Sequence, residues 1–203
     1  MSAKLKAIKR VKLQAVVDEI TISVNETFSG LSAGDASSIA INNFAIKALV
    51  AAGFGAKLVS GKAAFGVNRG KNGVIDYGFS KIEDTANYVA DSPIRNFHGH
   101  AWIDIKNLDV IVDFTLLSME AGMLADNEKR GIVDSDYQLT NKVIVPKSEN
   151  KTFARLYDHY DIGYHYSRTD NGTQLVLEAI KWINSFDTFS DYLAQVRLVP
   201  TAK

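Results

Sequence analysis

The sequence predicts an α+β domain, with helices packed on an antiparallel sheet. Three observations carry this. Apolar residues recur at helical spacing up to Ala52. Beyond Gly55 the period shortens to that of strands, with turn chemistry between the runs. Helical spacing then returns near the C-terminus.

Leu13, Val16, Val17, Ile20 and Val24 place a first helix at residues 6–26. The small, polar stretch Ser29 to Gly34 reads as a loop. Ile41, Phe44, Ala45, Ala48, Leu49 and Ala52 form the stripe of a second helix. Asp35, Ser37 or Ser38 is suited to cap its start, and Gly53 and Gly55 end it. Lys57–Val67 and Val74–Phe79 read as strands joined by the turn-forming run Asn68–Gly73, a hairpin. Ser80–Arg95 is a polar insertion. Asn96–Ile105 and Asp109–Thr115 are two further strands, tightly connected by Lys106, Asn107 and Leu108. A short helix is expected near Leu117–Ala125, and short strands at Lys142–Val145 and Ile162–Arg168. Leu175, Ala179, Ile180, Ile183 and Phe186 mark a late helix, and Phe189, Tyr192, Leu193 and Val196 a last one.

The chain has 203 residues. One domain, 1–203, of that length buries about 70% of its unfolded surface and needs no staples. The formal net charge is +0, which gives no electrostatic reason to expect nucleic acid or an anionic membrane as partner. The basic cluster Lys4, Lys6, Lys9, Arg10 and Lys12 reads as a solvated helix face rather than a nucleic-acid arm. With no cysteine there is no disulfide, thiolate metal site or cysteine nucleophile. No run approaches the roughly 20 apolar residues of a membrane span, and the start does not read as a signal peptide. A cytoplasmic protein is expected. The sequence leaves the oligomeric state open.

Three places invite chemistry: Ser37-Ser38 at the start of the second helix, His98 to Trp102 on one strand, and Ile111 to Thr115 on the next. A hydroxyl at a helix N-terminus sits at the positive end of the dipole, beside free N–H groups suited to a developing oxyanion. A histidine on an adjoining strand is placed to act as base. An aspartate on the strand after it is placed to hold that imidazole in one tautomer and stabilise its cation.

The run from Ser38 to Gly61 resembles the nucleophile helix and following strand of transglutaminase-like proteins, down to the ending Gly53, Phe54, Ala56, Leu58, Val59 and Gly61. Gly99-His100-Ala101-Trp102-Ile103 is similar to that superfamily's His-Ala-Trp strand, and Val112-Asp113-Phe114-Thr115 to its Asp-hydrophobic-Thr ending. The resemblance covers residues 35–116 in the right order. It implies a papain-like (cysteine proteinase/transglutaminase-like) core with N-terminal helices on the sheet and a helical C-terminal addition at about 170–199. Arylamine acetyltransferases and papain-like peptidases share that order, so the resemblance implies a superfamily rather than one reaction.

By the same resemblance the catalytic residues are Ser38, His100 and Asp113, with Trp102 and His98 as substrate-binding residues. The chemistry implied is hydrolysis or acyl transfer at an amide or ester, including a peptide, and it needs no cofactor. Ser38 stands where the superfamily carries its cysteine, and Ser37 is one residue away. A serine hydroxyl needs stronger base assistance than a thiol. An active serine, a vestigial site and a serine replacing a natural cysteine all remain open.

Blander readings stand beside these. Ser38 also serves as a plain helix cap, His100 as a satisfied half-buried histidine, and Asp113 as a turn residue. His98, His100 and Asp113 also have spacing suited to a metal, although the triad fits better and no metal is expected. A non-catalytic domain holding a peptide or acyl ligand is the alternative function. An assembly protein using the aromatic segment Tyr157–Tyr166 is a third reading.

Overall fold

The first helix, α1 (Ala3–Phe28), buries Leu13, Val17, Ile20, Val24 and Phe28, one stripe at helical spacing. The structure is a computed structural model and describes residues 2–28, 38–67, 74–77, 99–117, 142–159, 161–169 and 173–198. The turns of α1 before Leu13 stand out from the core, and their cations reach back to it. Lys6 pairs with Asp109 at 3.0 Å, Arg10 donates to the Leu108 carbonyl and Lys12 to that of Ala52.

Helix α2 (Ser38–Ala51) is different, because Ile39 to Asn43 are all buried. Its first turns are enclosed on nearly every side, whereas Lys47, Ala48, Val50 and Ala51 further along are exposed. It ends in a Schellman motif: Phe54 N–H donates to the Leu49 carbonyl and Gly53 N–H to that of Val50. Gly53 adopts φ 87°, which a residue without Cβ reaches freely.

The strands are β1 (Ala56–Gly66), β2 (Val74–Tyr77), β3 (His100–Ile105), β4 (Val110–Val112), β5 (Ile144–Pro146) and β6 (Gly163–Arg168). All pairings are antiparallel and form one curled sheet. Strand β1 organises it. Ala56–Gly61 pairs with β3, whereas Ala63–Gly66 pairs with both β2 and β6. One residue pairs with both β2 and β6 only if they lie on opposite edges of β1. Gly61 stands where the pairing changes, opposite both His100 and Arg168. A Cβ there would run into the Ser167 carbonyl oxygen, so the close approach of β6 requires glycine.

Strand alternation separates two cores. On one sheet face Ala101, Ile103, Ile105, Val110 and Val112 pack against α1, α2, α4 (Thr173–Ile183) and α5 (Phe189–Leu198). On the other face Val59, Phe65, Trp102, Ile111, Tyr164 and Tyr166 form a smaller, aromatic core. A five-residue helix, α3 (Phe153–Tyr157), lies before β6 and is capped by Thr152. It is too short to show a period in the sequence.

Helices and strands fall close to the positions expected from the sequence. Several strands begin later or end sooner: Gly99, within the run expected at Asn96–Ile105, precedes β3, and Lys142 and Val143, within that expected at Lys142–Val145, precede β5. The run expected at Asp109–Thr115 pairs only over Val110–Val112. Asp113 then accepts from the Thr115 N–H and hydroxyl, a local turn that takes the chain out of the sheet. The Asn68–Gly73 turn, the Ser80–Arg95 insertion and nearly all of the helix expected at Leu117–Ala125 lie outside the described residues. No described helix is long and apolar enough to cross a membrane.

Candidate functional site

His100 is the first residue of β3 and faces the aromatic core, on the same side as Trp102. Strands β3 and β4 pair with Ile103 opposite Val112, which sets Asp113 beyond the paired end, near His100. The Nε2 of His100 lies 2.6 Å from Asp113 Oδ2. A carboxylate only accepts, so Nε2 carries the proton of this bond. The other nitrogen, Nδ1, is buried and finds no partner among the described residues.

Asp113 is fully buried and receives donors on both oxygens. Oδ1 accepts from Asn42 Nδ2 at 3.1 Å, from Thr115 N at 3.1 Å and from the Thr115 hydroxyl. Oδ2 accepts from His100 and from the Tyr166 hydroxyl at 3.0 Å. Burial alone would push the Asp113 carboxyl up. The charge His100 carries when protonated, with the bonds from His100, Thr115 and Asn42, outweighs burial and holds it below the ordinary carboxylate range. Burial, then the Asp113 charge, pushes the Tyr166 phenol well above its ordinary range, so it stays a donor.

Asn42 ties three elements together. It lies one turn along α2 from Ser38. Its amide donates to Asp113 and to the Ala101 carbonyl, and its side-chain oxygen accepts from Phe114 N–H. The helix carrying Ser38 is thereby fastened to both strand ends that carry His100 and Asp113.

The Ser38 hydroxyl accepts from the backbone N–H of Ala101, at 3.0 Å. It therefore sits beside the residue that follows His100, and its own proton has no acceptor among the described residues. Unlike His100, Ser38 is partly exposed. Rings enclose the imidazole: Tyr77 at 5.0 Å, Phe65 at 5.4 Å, Tyr166 at 6.3 Å and Trp102 at 6.4 Å between centroids. His100 is 1% exposed. The imidazole is closed off within these rings.

Comparison with known proteins finds no match to this chain among family models, curated proteins or solved structures. The site stands on its own geometry.

Of the residues singled out in the sequence, His100 and Asp113 are joined directly, and Ser38 is bonded to the neighbouring peptide. Trp102 is 3% exposed and is a wall of the aromatic core, 5.1 Å from the Tyr166 ring. His98 and Ser37 lie outside the described residues. The aromatic segment divides: Tyr157 is exposed, while Tyr164 and Tyr166 are buried. A groove of about 500 Å³ runs between α1 and the β4–β5 side, lined among others by Gln14, Val110 and Glu149. It shares no residue with the His100 network.

Sequence reasoning missed Asn42, Thr115 and Tyr166 as partners of Asp113. Thr115 closes the motif quoted for Asp113, so it was within sight. Asn42 signalled itself as a polar residue among the apolar positions of α2. Tyr166 carried no such sign, because its contact spans 53 residues.

Proposed function

We propose that this domain has a papain-like or transglutaminase-like core and acts as a hydrolase or acyltransferase on an amide or ester, with Ser38, His100 and Asp113 in the roles of nucleophile, base and orienting acid. One observation carries the reading. Among the described residues His100 Nε2 is committed to Asp113, the buried Nδ1 keeps an unused lone pair, and the Ser38 hydroxyl, bonded to the next peptide, has no acceptor for its proton. A nucleophile–base–acid relay needs that pair of unfilled valences.

In this mechanism Ser38 Oγ attacks the carbonyl carbon and its proton passes to His100 Nδ1. Asp113 stabilises the imidazolium, and N–H groups at the start of α2 receive the oxyanion. His100 then protonates the departing amine or alcohol, leaving an ester on Ser38. Water or another acceptor attacks that ester, gives its proton to His100, and Ser38 recovers its own.

A fluorophosphonate probe tests this. Labelling at Ser38, abolished in Ser38→Ala and in His100→Ala, is the expected result. Absence of labelling in the wild type sinks the serine mechanism. A Ser38→Cys variant adds a clean second assay, since the chain has no other thiol. The Ala101 N–H and the helix N-terminus should lower that thiol below the ordinary value of about 8.5. Iodoacetamide alkylation measured across pH reads it.

A second reading is favoured by the burial of His100. The same network then serves as the polar centre of a non-catalytic domain that holds a peptide or acyl ligand. It expects no probe labelling, and a loss of stability as the main effect of His100→Ala.

A further inference from the structure

We propose that Tyr77 is the residue that controls access to His100, a ring on a thin edge strand that must move before anything can reach the imidazole. The observations come from the four rings that enclose His100 among the described residues. Phe65, Trp102 and Tyr166 are 0%, 3% and 6% exposed. Each lies on a strand held along most of its length, β1, β3 or β6. None of the three leaves without dismantling the aromatic core.

Tyr77 differs in its exposure and in the length of its strand. It is only partly buried, and its ring packs against the imidazole. It ends β2, a four-residue strand that pairs only with β1 among the described residues. Every residue of β2 is partly exposed. Its ring is the nearest of the four to the imidazole, 5.0 Å away and tilted by 38°, and it touches Phe65 edge-on at 6.0 Å. No hydrogen bond of the Tyr77 hydroxyl to another described residue holds the ring in place. A short edge strand with few ladder bonds opens at far lower cost than a central one. Loops and short elements that close over a site and open on slower timescales are a common way to exclude water from acyl chemistry.

The inference rests on the acyl-transfer reading only in taking His100 as the reacting group. Its test needs no substrate. Diethyl pyrocarbonate modifies unprotonated imidazoles, and tandem mass spectrometry assigns the modification to single residues. His159 is exposed and serves as a reference within the same molecule. In the wild type His100 should be modified much more slowly than His159. Tyr77→Ala should raise the His100 rate relative to His159 by about tenfold or more, the scale of a local opening made easier. Tyr77→Phe keeps the ring and should leave the ratio at the wild-type level. Ile75→Ala trims the same face of the same strand and should also leave it low. Tyr77→Leu, which keeps apolar bulk for folding, should fall between the wild type and Tyr77→Ala.

Modification of His100 at the His159 rate in the wild type would overturn the proposal. So would an unchanged ratio in both Tyr77→Ala and Tyr77→Leu. Equal opening by Ile75→Ala would assign closure to the docking of the whole strand, which also overturns it. If Tyr77→Ala exposes His100 but Ser38 still takes no fluorophosphonate, the gate stands and the acyl-transfer reading fails. If Ser38 labels while Tyr77 substitutions change nothing, the reverse holds.

Discussion

The two faces of the sheet bury different kinds of core. The helical face is packed by Leu13, Val17, Ile39, Leu49, Ile103 and Val112, with a cluster of rings among Phe28, Phe44 and Phe189. The opposite face surrounds His100, Asp113 and Thr115 with Phe65, Trp102, Tyr164 and Tyr166. Each fully buried aliphatic side chain of the first contributes roughly 1.5–3 kcal/mol by leaving water, and loss of volume is what damages it. The second holds a carboxylate whose burial is tolerable only because both oxygens are filled. There the loss of a single acceptor matters more than the loss of a methyl group.

Asp113→Asn probes that difference most strongly. It keeps the size of the side chain but exchanges an acceptor oxygen for an amide that cannot accept. Donors from His100 and Tyr166, or from Thr115 and Asn42, are then left without an acceptor. Each buried group left unsatisfied costs about 1–3 kcal/mol, so a loss of about 3 kcal/mol or more in urea denaturation is expected. Asn42→Ala comes next. It removes one donor from Asp113 and strands the Ala101 carbonyl and the Phe114 N–H, for about 2 kcal/mol by the same measurement. It should also weaken fluorophosphonate labelling of Ser38, because α2 loses its tie to both strand ends. Ile103→Val, on the helical face, should cost only about 0.5–1.5 kcal/mol. If Ile103→Val proves as costly as Asp113→Asn, the contrast between the two cores is wrong.

The smallest effect is a pH dependence. The Asp113 carboxyl is lowered in the folded protein from its ordinary value of 3.8. Its contribution is therefore present above that value and is lost as pH falls through the folded value. The stability gap between wild type and Asp113→Asn should be full near neutrality and should narrow in acid. Urea midpoints measured along an acid series check this, and a gap that widens in acid would refute it. At the other end, burial first and then the charges of Asp113 and Asp76 raise Tyr77 to about 12. The stability it lends is complete below the ordinary 10.0 and declines as pH rises towards about 12.

How much of the site could be read from the chain follows from how far its contacts reach. His100 and Asp113 are 13 residues apart on adjacent strands joined by a short turn. Strand period and turn chemistry fix which way such side chains point, so their meeting was legible. Ser38 lies 63 residues from Ala101, and its place at the start of a helix was legible while its bonding partner was not. The closed aromatic box was not legible at all. The alternation of β6 shows that Tyr164 and Tyr166 share a face, but not that β6 pairs with β1.

The sequence by itself determined the order of helices and strands, the Gly53 termination of α2, and the three residues worth watching. Each of these depends on neighbours within a turn or a hairpin, where backbone sterics and side-chain period decide. The tertiary structure alone decided that β1 carries β6 and β3 beside its hairpin partner β2, that Asn42 and Tyr166 converge on Asp113, and that Tyr77 packs against His100. Those outcomes depend on which distant segments bury each other's apolar surface, a choice that local period does not encode.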